Sequence, residues 1–126
     1  MNIVDSCGWL EYFADDTNAS FFSPIITKTE KLIVPSITIT EVFKRIIQQK
    51  DEDLALQAIS VMHQGIVVDL TSAVAVTAAQ LGALHKLPLA DSIIYSTAKH
   101  HKATIYTQDA DFKNLDNIKY IAKSYK

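Results

Sequence analysis

The chain has 126 residues, 48% of them apolar, which is enough for one ordinary hydrophobic core and argues against disorder. Its formal net charge is −2 and Cys7 is its single cysteine, which excludes an internal disulfide and argues against both a broadly basic nucleic-acid surface and a cysteine-built zinc site. No apolar run approaches the ~20 residues of a membrane-spanning helix, and the opening MNIVDS lacks the basic start and apolar stretch of a signal peptide, so the expected location is the cytoplasm, with no membrane contact.

In chain order, NIVD (2–5) reads as a first short strand. SCGWLEYFAD follows as a helix, with Trp9, Leu10 and Phe13 on one face. NASFFSPIITKTEK is helical in part and is expected to break near Pro24. KLIVPS (31–36) is a second strand, stopped by Pro35. TITEVFKRIIQQK (38–50) is a helix that turns Val42, Phe43, Ile46 and Ile47 inward. DEDLALQAISVMHQ (51–64) is another, with Leu54, Ala58 or Ile59, and Met62 at helical spacing. GIVVDL (65–70) is a third strand and TSAVAVTAAQLGALHK (71–86) a strongly apolar helix closed by Pro88. LADSIIYSTAKHHK (89–102) is a helix, ATIYT (103–107) a fourth strand, and NIKYIA (117–122) a fifth at an edge. Strands alternating with helices give right-handed crossovers and a parallel sheet covered on both faces. Such sheets bind ligands outside the carboxyl ends of their strands, where the strand order reverses.

That topology draws attention to acids that follow strands. Asp5 follows the first strand and Asp109 the fourth. On one rim, two carboxylates repel and raise each other's pKa, an arrangement that a hard divalent cation makes reasonable. Each also fits a simpler role as a helix or turn cap. Asp91 is the most informative. With Ile94, Tyr95 and Ala98 it falls at i, i+3, i+4 and i+7, so it opens the inward face of its helix, which a cap does not require. Glu41 completes a Thr38-Ile39-Thr40-Glu41 capping box and falls away from its helix's apolar face, so spacing alone reads it as structural. Asp69 also follows a strand and reads as the cap of the next helix. Asp111 is either an outer ligand or a solvated acid. Thr107 is placed to hydrogen-bond a ligating carboxylate, or is an ordinary strand residue. Two cationic clusters, Lys44/Arg45/Lys50 and Lys99/His100/His101/Lys102, read as solvated helix faces or as local basic patches.

Three stretches taken together, IVDSCGWLEYF (3–13), VPSITITEVFK (34–44) and LPLADSIIYSTAKHHKATIYTQDADF (87–112), resemble PIN-domain proteins, most closely the VapC type of toxin from bacterial and archaeal toxin–antitoxin pairs. The resemblance runs almost end to end, as a single PIN-like domain over residues 1–126. It implies a three-layer α/β/α sandwich around a central parallel sheet of four to five strands. It also implies a catalytic set of Asp5, Glu41, Asp91 and Asp109, with Asp5, Asp91 and Asp109 holding Mg²⁺ or Mn²⁺ and Asp111 as a frequent extra acid. Ser6 takes the family's small hydroxyl position after the first acid, and Cys7 stands where a second serine is common. The implied activity is endoribonuclease cleavage of RNA. The implied partners are a cognate antitoxin, whose tail blocks the site, and a second copy of the chain in a homodimer.

Other readings are weaker. A phosphoacceptor receiver domain needs a lysine after a late strand, where this chain has acids, and a haloacid-type phosphatase needs a second aspartate in VDSCG. A PIN-fold RNA-processing nuclease outside toxin–antitoxin systems fits the same residues. A non-catalytic PIN-fold binding module fits less well, because all four acidic positions are filled.

Overall fold

The computed structural model describes residues 1–124. In chain order the elements are β1 (Asn2–Val4), α1 (Ser6–Phe13), α2 (Ala19–Ile26), β2 (Leu32–Pro35), α3 (Ser36–Gln49), α4 (Glu52–Met62), β3 (Ile66–Val68), α5 (Ser72–His85), α6 (Leu89–His101), β4 (Thr104–Thr107) and β5 (Ile118–Tyr120), with short 3₁₀ turns before β2 and after β4. Among the described residues five strands form one parallel sheet in the order β3-β2-β1-β4-β5. The expected fifth strand is present, at the edge.

Side chains along a strand point alternately to opposite faces, and this divides the core in two. Ile3, Ile33 and Ile105 stand in register and pack under α6, against Ile94, Tyr95, Ala98 and Phe112. Val4, Leu32 and Val34 face the other way and meet Trp9 of α1, Phe22 and Ile26 of α2, Val42 of α3, and Ala58 and Met62 of α4. Helices on both faces of one sheet make the three-layer α/β/α sandwich. Gly8 lets α1 come down onto it. A Cβ there would lie 2.6 Å from Val4 Cγ1 and 2.7 Å from Phe22 Cε1, closer than any side chain tolerates.

Several local expectations change. α2 runs through Pro24 rather than breaking there. The proline sits two residues before the helix ends, and the residue whose carbonyl loses its i→i−4 partner, Ser20, is exposed. α3 starts at Ser36, two residues early, because Pro35 ends the strand and caps the helix with an extended backbone. Thr38 is therefore inside α3, where its hydroxyl donates to the Pro35 carbonyl at 2.6 Å, and the capping box with Glu41 does not form. Thr71, not Asp69, caps α5, accepting from the Val74 amide at 3.2 Å. α5 ends at Lys86 in a left-handed conformation, and Pro88 instead caps α6. Ile47 and Leu54 are exposed; Ala55 takes the inward position expected of Leu54. The apolar helix α5 buries Val74 and Ala78 but leaves Val76 and Leu84 in solvent.

Candidate active site

The strand order reverses between β1 and β4, which run side by side at the centre of the sheet. Residues leaving these two strands at their carboxyl ends therefore meet in the crevice where parallel sheets bind ligands. Asp5 leaves β1 there and is 2% exposed. Its Oδ1 accepts from the Gly8 amide at 3.0 Å and its Oδ2 from the Thr107 hydroxyl at 2.5 Å. The Cys7 thiol donates to the same carboxylate, 3.1 and 3.2 Å from its two oxygens. Thr107 Oγ in turn accepts from the Asp109 amide at 2.8 Å, so one hydroxyl ties the two acids together. Asp109 Oδ1 accepts from the Asp111 amide at 2.9 Å. Both Asp5 and Asp109 do cap a helical turn, and capping is what holds them at the rim.

Asp91 reaches this rim from the first turn of α6, with Ile94, Tyr95 and Ala98 of the same face buried below it. Asp91, Asp109 and Asp111 each bring a carboxylate oxygen within 4.8 Å of the other two, a group that could hold a metal ion. Asp5 sits deeper, its oxygens engaged by the donors just named. Glu41 is half-buried and accepts from the Ser6 hydroxyl at 2.9 Å. α1 packs beside α3, so the side of α3 that is polar on its own wheel is covered by the start of α1. Asp69 follows β3, two strands out from β1 and so about 10 Å from it; it is exposed.

The acids feel one another. Burial pushes the Asp5 carboxyl up to about 6, against the hydrogen bonds from Thr107, Cys7 and Gly8, and the Asp109 charge adds to the rise. Asp91 is pushed up to about 8 by burial, by the Asp109 charge and hydrogen bond, and by the charges of Asp5 and Asp111. Glu41 is raised by burial and by Asp109, and Ser6 opposes this. Asp109 is thus the common neighbour of the other three. With protein alone, the cluster keeps a proton at neutral pH. A divalent cation is the partner that lets these oxygens carry their charge together, so the donor set fits a hard, oxygen-liganded ion. Cys7 offers no rival chemistry: burial and the Asp5 charge hold its thiol protonated, as a donor.

A second layer, invisible in the sequence, fixes the residue between Thr107 and Asp109. Gln108 is 6% exposed. Its amide donates to Glu11 Oε1 at 3.0 Å and its oxygen accepts from Asn18 Nδ2 at 2.9 Å. Glu11 Oε2 also accepts from the Asn18 amide at 2.8 Å, and Asn18 Nδ2 reaches the Ala122 carbonyl at 3.1 Å. With Thr107 and Gln108 both held inward, Asp109 is left to project. The partners lie up to 90 residues or more apart, and no short motif marks them.

The PIN-domain family matches residues 3–118. The chain belongs to that family. In fold this PIN domain is similar to a toxin–antitoxin complex from Klebsiella pneumoniae, at 18% identity and a TM-score of 0.80, covering 94% of this chain and 96% of the other. It is likewise similar to VapC20 of Mycobacterium tuberculosis, a sarcin–ricin-loop-cleaving toxin, at 13% identity and a TM-score of 0.78, covering 92% and 95%. A third similar structure is VapBC2 from Rickettsia felis bound to a promoter DNA fragment, at 13% identity and 0.75, covering 96% and 97%. Comparison by sequence with curated proteins gives no match. Among the described residues no helix is long and apolar enough to cross a membrane.

Proposed function

We propose that this PIN domain is a metal-dependent endoribonuclease and the toxin of a VapBC-type pair, with Asp5, Glu41, Asp91 and Asp109 as its catalytic acids. The observation that carries this reading is geometric: carboxylate oxygens of Asp91, Asp109 and Asp111 lie within 4.8 Å of one another, and one Thr107 hydroxyl ties buried Asp5 to Asp109. Asp91, Asp109 and Asp111 are the nearest oxygen donors for Mg²⁺ or Mn²⁺, with Asp5 behind them. Bound there, the ion supplies a water of lowered pKa and offsets charge on the scissile phosphate. Thr107 keeps Asp5 and Asp109 in fixed relation, and Ser6 orients Glu41. Charged donors that are already aligned need little rearrangement during the reaction, which is where a rigid acidic rim gains its effect.

The partners follow from surfaces. An apolar cavity of about 370 Å³ between α1, α3 and α4, lined by Leu10, Phe13, Ile46, Leu54 and Val61 among others, suits apolar side chains of an antitoxin tail. The uncharged face of α5 with Val76 and Leu84 suits a second copy of the chain. The test pairs Asp91→Asn with Asp69→Asn in an RNA-cleavage assay supplied with Mn²⁺. The reading expects the first to abolish cleavage and the second to leave it intact. Equal loss in both would break the assignment of the rim. A nuclease acting in RNA processing outside a toxin–antitoxin pair would cleave in the same assay but retain no antitoxin on co-expression with its neighbouring gene.

A further inference from the structure

Glu41 stands at the rim on α3, where it accepts from the hydroxyl of Ser6, the residue after Asp5, at 2.9 Å. On a helix the neighbours of position 41 one turn further on are positions 44 and 45, with Cβ atoms about 5–6 Å away. Both are cations, Lys44 and Arg45, and both are exposed. At about 100° per residue, Arg45 is turned about 40° to one side of Glu41 and Lys44 about 60° to the other, so the pair straddles the acid. A glutamate four residues ahead of a cation is the favourable order for an ion pair within a helix. That pair is not made. Glu41 turns to Ser6 on α1 instead, and neither Lys44 nor Arg45 has an ion-pair or hydrogen-bond partner among the described residues. The cationic strip is bounded on both sides. Past Lys44 the helix becomes apolar, with Ile39, Phe43 and Ile47 around an open cavity. Lys50, at the end of α3, is followed by the exposed acids Asp51, Glu52 and Asp53.

The second basic cluster is placed differently. Asp91 opens α6 at the rim, and Lys99 lies eight residues on, about 12 Å further along the helix. Lys99 is paired with Asp116 at 2.7 Å. Lys102 leads into the amino end of β4, the opposite edge of the sheet from Asp5 and Asp109. A chain of net charge −2 with a carboxylate rim repels a polyanion unless cations stand beside that rim. A metal ion among the acids offsets the phosphate it touches, whereas the phosphates on either side of it still face Glu41. Lys44 and Arg45 are unpaired cations within one helical turn of that acid.

We propose that Lys44 and Arg45 form a phosphate clamp, holding the RNA backbone phosphates next to the bond that is cleaved as the strand crosses α3 beside Glu41. The ligand class follows from the chemistry. The Arg45 guanidinium offers a planar fork that matches two phosphate oxygens, and Lys44 offers a mobile point charge. Such contacts fix the position of a strand without reading its bases. The inference rests on the nuclease reading and adds to it the side of the cleft along which the substrate lies.

The test is fluorescence anisotropy with a labelled single-stranded RNA of about eight nucleotides, at fixed Ca²⁺ and over a range of KCl, alongside steady-state cleavage in Mn²⁺. Lys44→Ala and Arg45→Ala are each expected to lower the slope of log affinity against log salt by about 0.7, and the double variant by about twice that. In cleavage the double variant should raise KM by about tenfold or more with little change in kcat. Arg45→Lys keeps the charge and so the slope, but loses the fork, and its affinity should fall between wild type and Arg45→Ala. Lys28→Ala, at an exposed lysine in the turn before β2, is the control and should match wild type throughout. Wild-type slope, affinity and KM in the double variant, with cleavage intact, would overturn the clamp and leave the nuclease reading standing. So would a double variant that binds RNA as wild type does but elutes as a smaller species in gel filtration, which would assign these cations to a contact between copies of the chain. Wild-type protein that neither binds nor cleaves RNA overturns both.

Discussion

Replacing Asp5 by asparagine is expected to make the protein more stable at pH 8 while destroying its proposed activity. The reason is in the burial of the carboxylate. Holding this carboxyl at about 6, when an exposed aspartate sits at 3.8, costs the folded state about 3 kcal/mol at any pH above 6. The sign is fixed by the direction of the rise. The folded state holds its proton to higher pH than the unfolded chain does, so the penalty is absent below 3.8 and complete above 6. Asparagine removes the charge and still offers an oxygen to the Gly8 amide. It loses an acceptor, because its amide nitrogen cannot take the hydrogen bond that the Thr107 hydroxyl now donates, a loss of about 1 kcal/mol. The balance at pH 8 is a gain of about 1–2 kcal/mol, a rise in Tm of roughly 3–8 °C for a domain this size. Near pH 4 the gain vanishes and the lost hydrogen bond leaves the variant slightly below wild type. The assay is thermal denaturation followed by circular dichroism, in EDTA, at pH 8 and pH 4. A variant destabilised equally at both pH values would refute the argument that Asp5 is a buried, energetically costly charge kept for chemistry.

Three further outcomes are expected. Mn²⁺ should bind more tightly as pH rises from 6 to 8, by up to about tenfold per pH unit, because below about 8 the ion must displace a proton from Asp91; calorimetric titration at three pH values checks this, and a flat profile contradicts it. Gly8→Ala should destabilise the fold by about 1–3 kcal/mol in urea unfolding, since the added methyl meets Val4 and Phe22 at 2.6–2.7 Å. Gln108→Ala should leave the protein folded and weaken Mn²⁺ binding by about 10–100-fold, as loss of an outer support to a ligand does; unchanged affinity would mean that the Glu11–Asn18–Gln108 network holds the chain together without aiming Asp109.

Much of this arrangement was legible in the sequence, for reasons that can be named. Alternating short apolar runs and helical patterns give the parallel sheet, and Asp91 stands out because the helical period places it on the same side as Ile94, Tyr95 and Ala98. Glu41 is different. A helical wheel compares a residue only with its own helix, and the group that engages Glu41 is Ser6, on another helix 35 residues away. The Thr107–Asp5 bond spans 102 residues and the Asn18–Gln108 bond 90, so neither leaves a local trace. For Asp5 and Asp109 the cap and the place at the rim do not compete, because each carboxylate caps its turn where the strand reaches the carboxyl edge of the sheet. Local rules misplaced the start of α3 because Pro35 can end a strand and cap a helix at once. In α5 the apolar composition does not say which side chains are covered, and Val76 and Leu84 are exposed.

The most direct test of the nuclease reading is the cleavage of a structured RNA pool by purified protein, free of any co-purified partner, in Mn²⁺ or Mg²⁺, in EDTA, and with an Asp109→Asn variant alongside. Asp109 is the residue through which the other acids are coupled, so cleavage is expected in the metal, lost in EDTA, restored when the ion is returned, and lost in the variant at every metal concentration. Cleavage that persists in EDTA, or that survives Asp109→Asn undiminished, would contradict it.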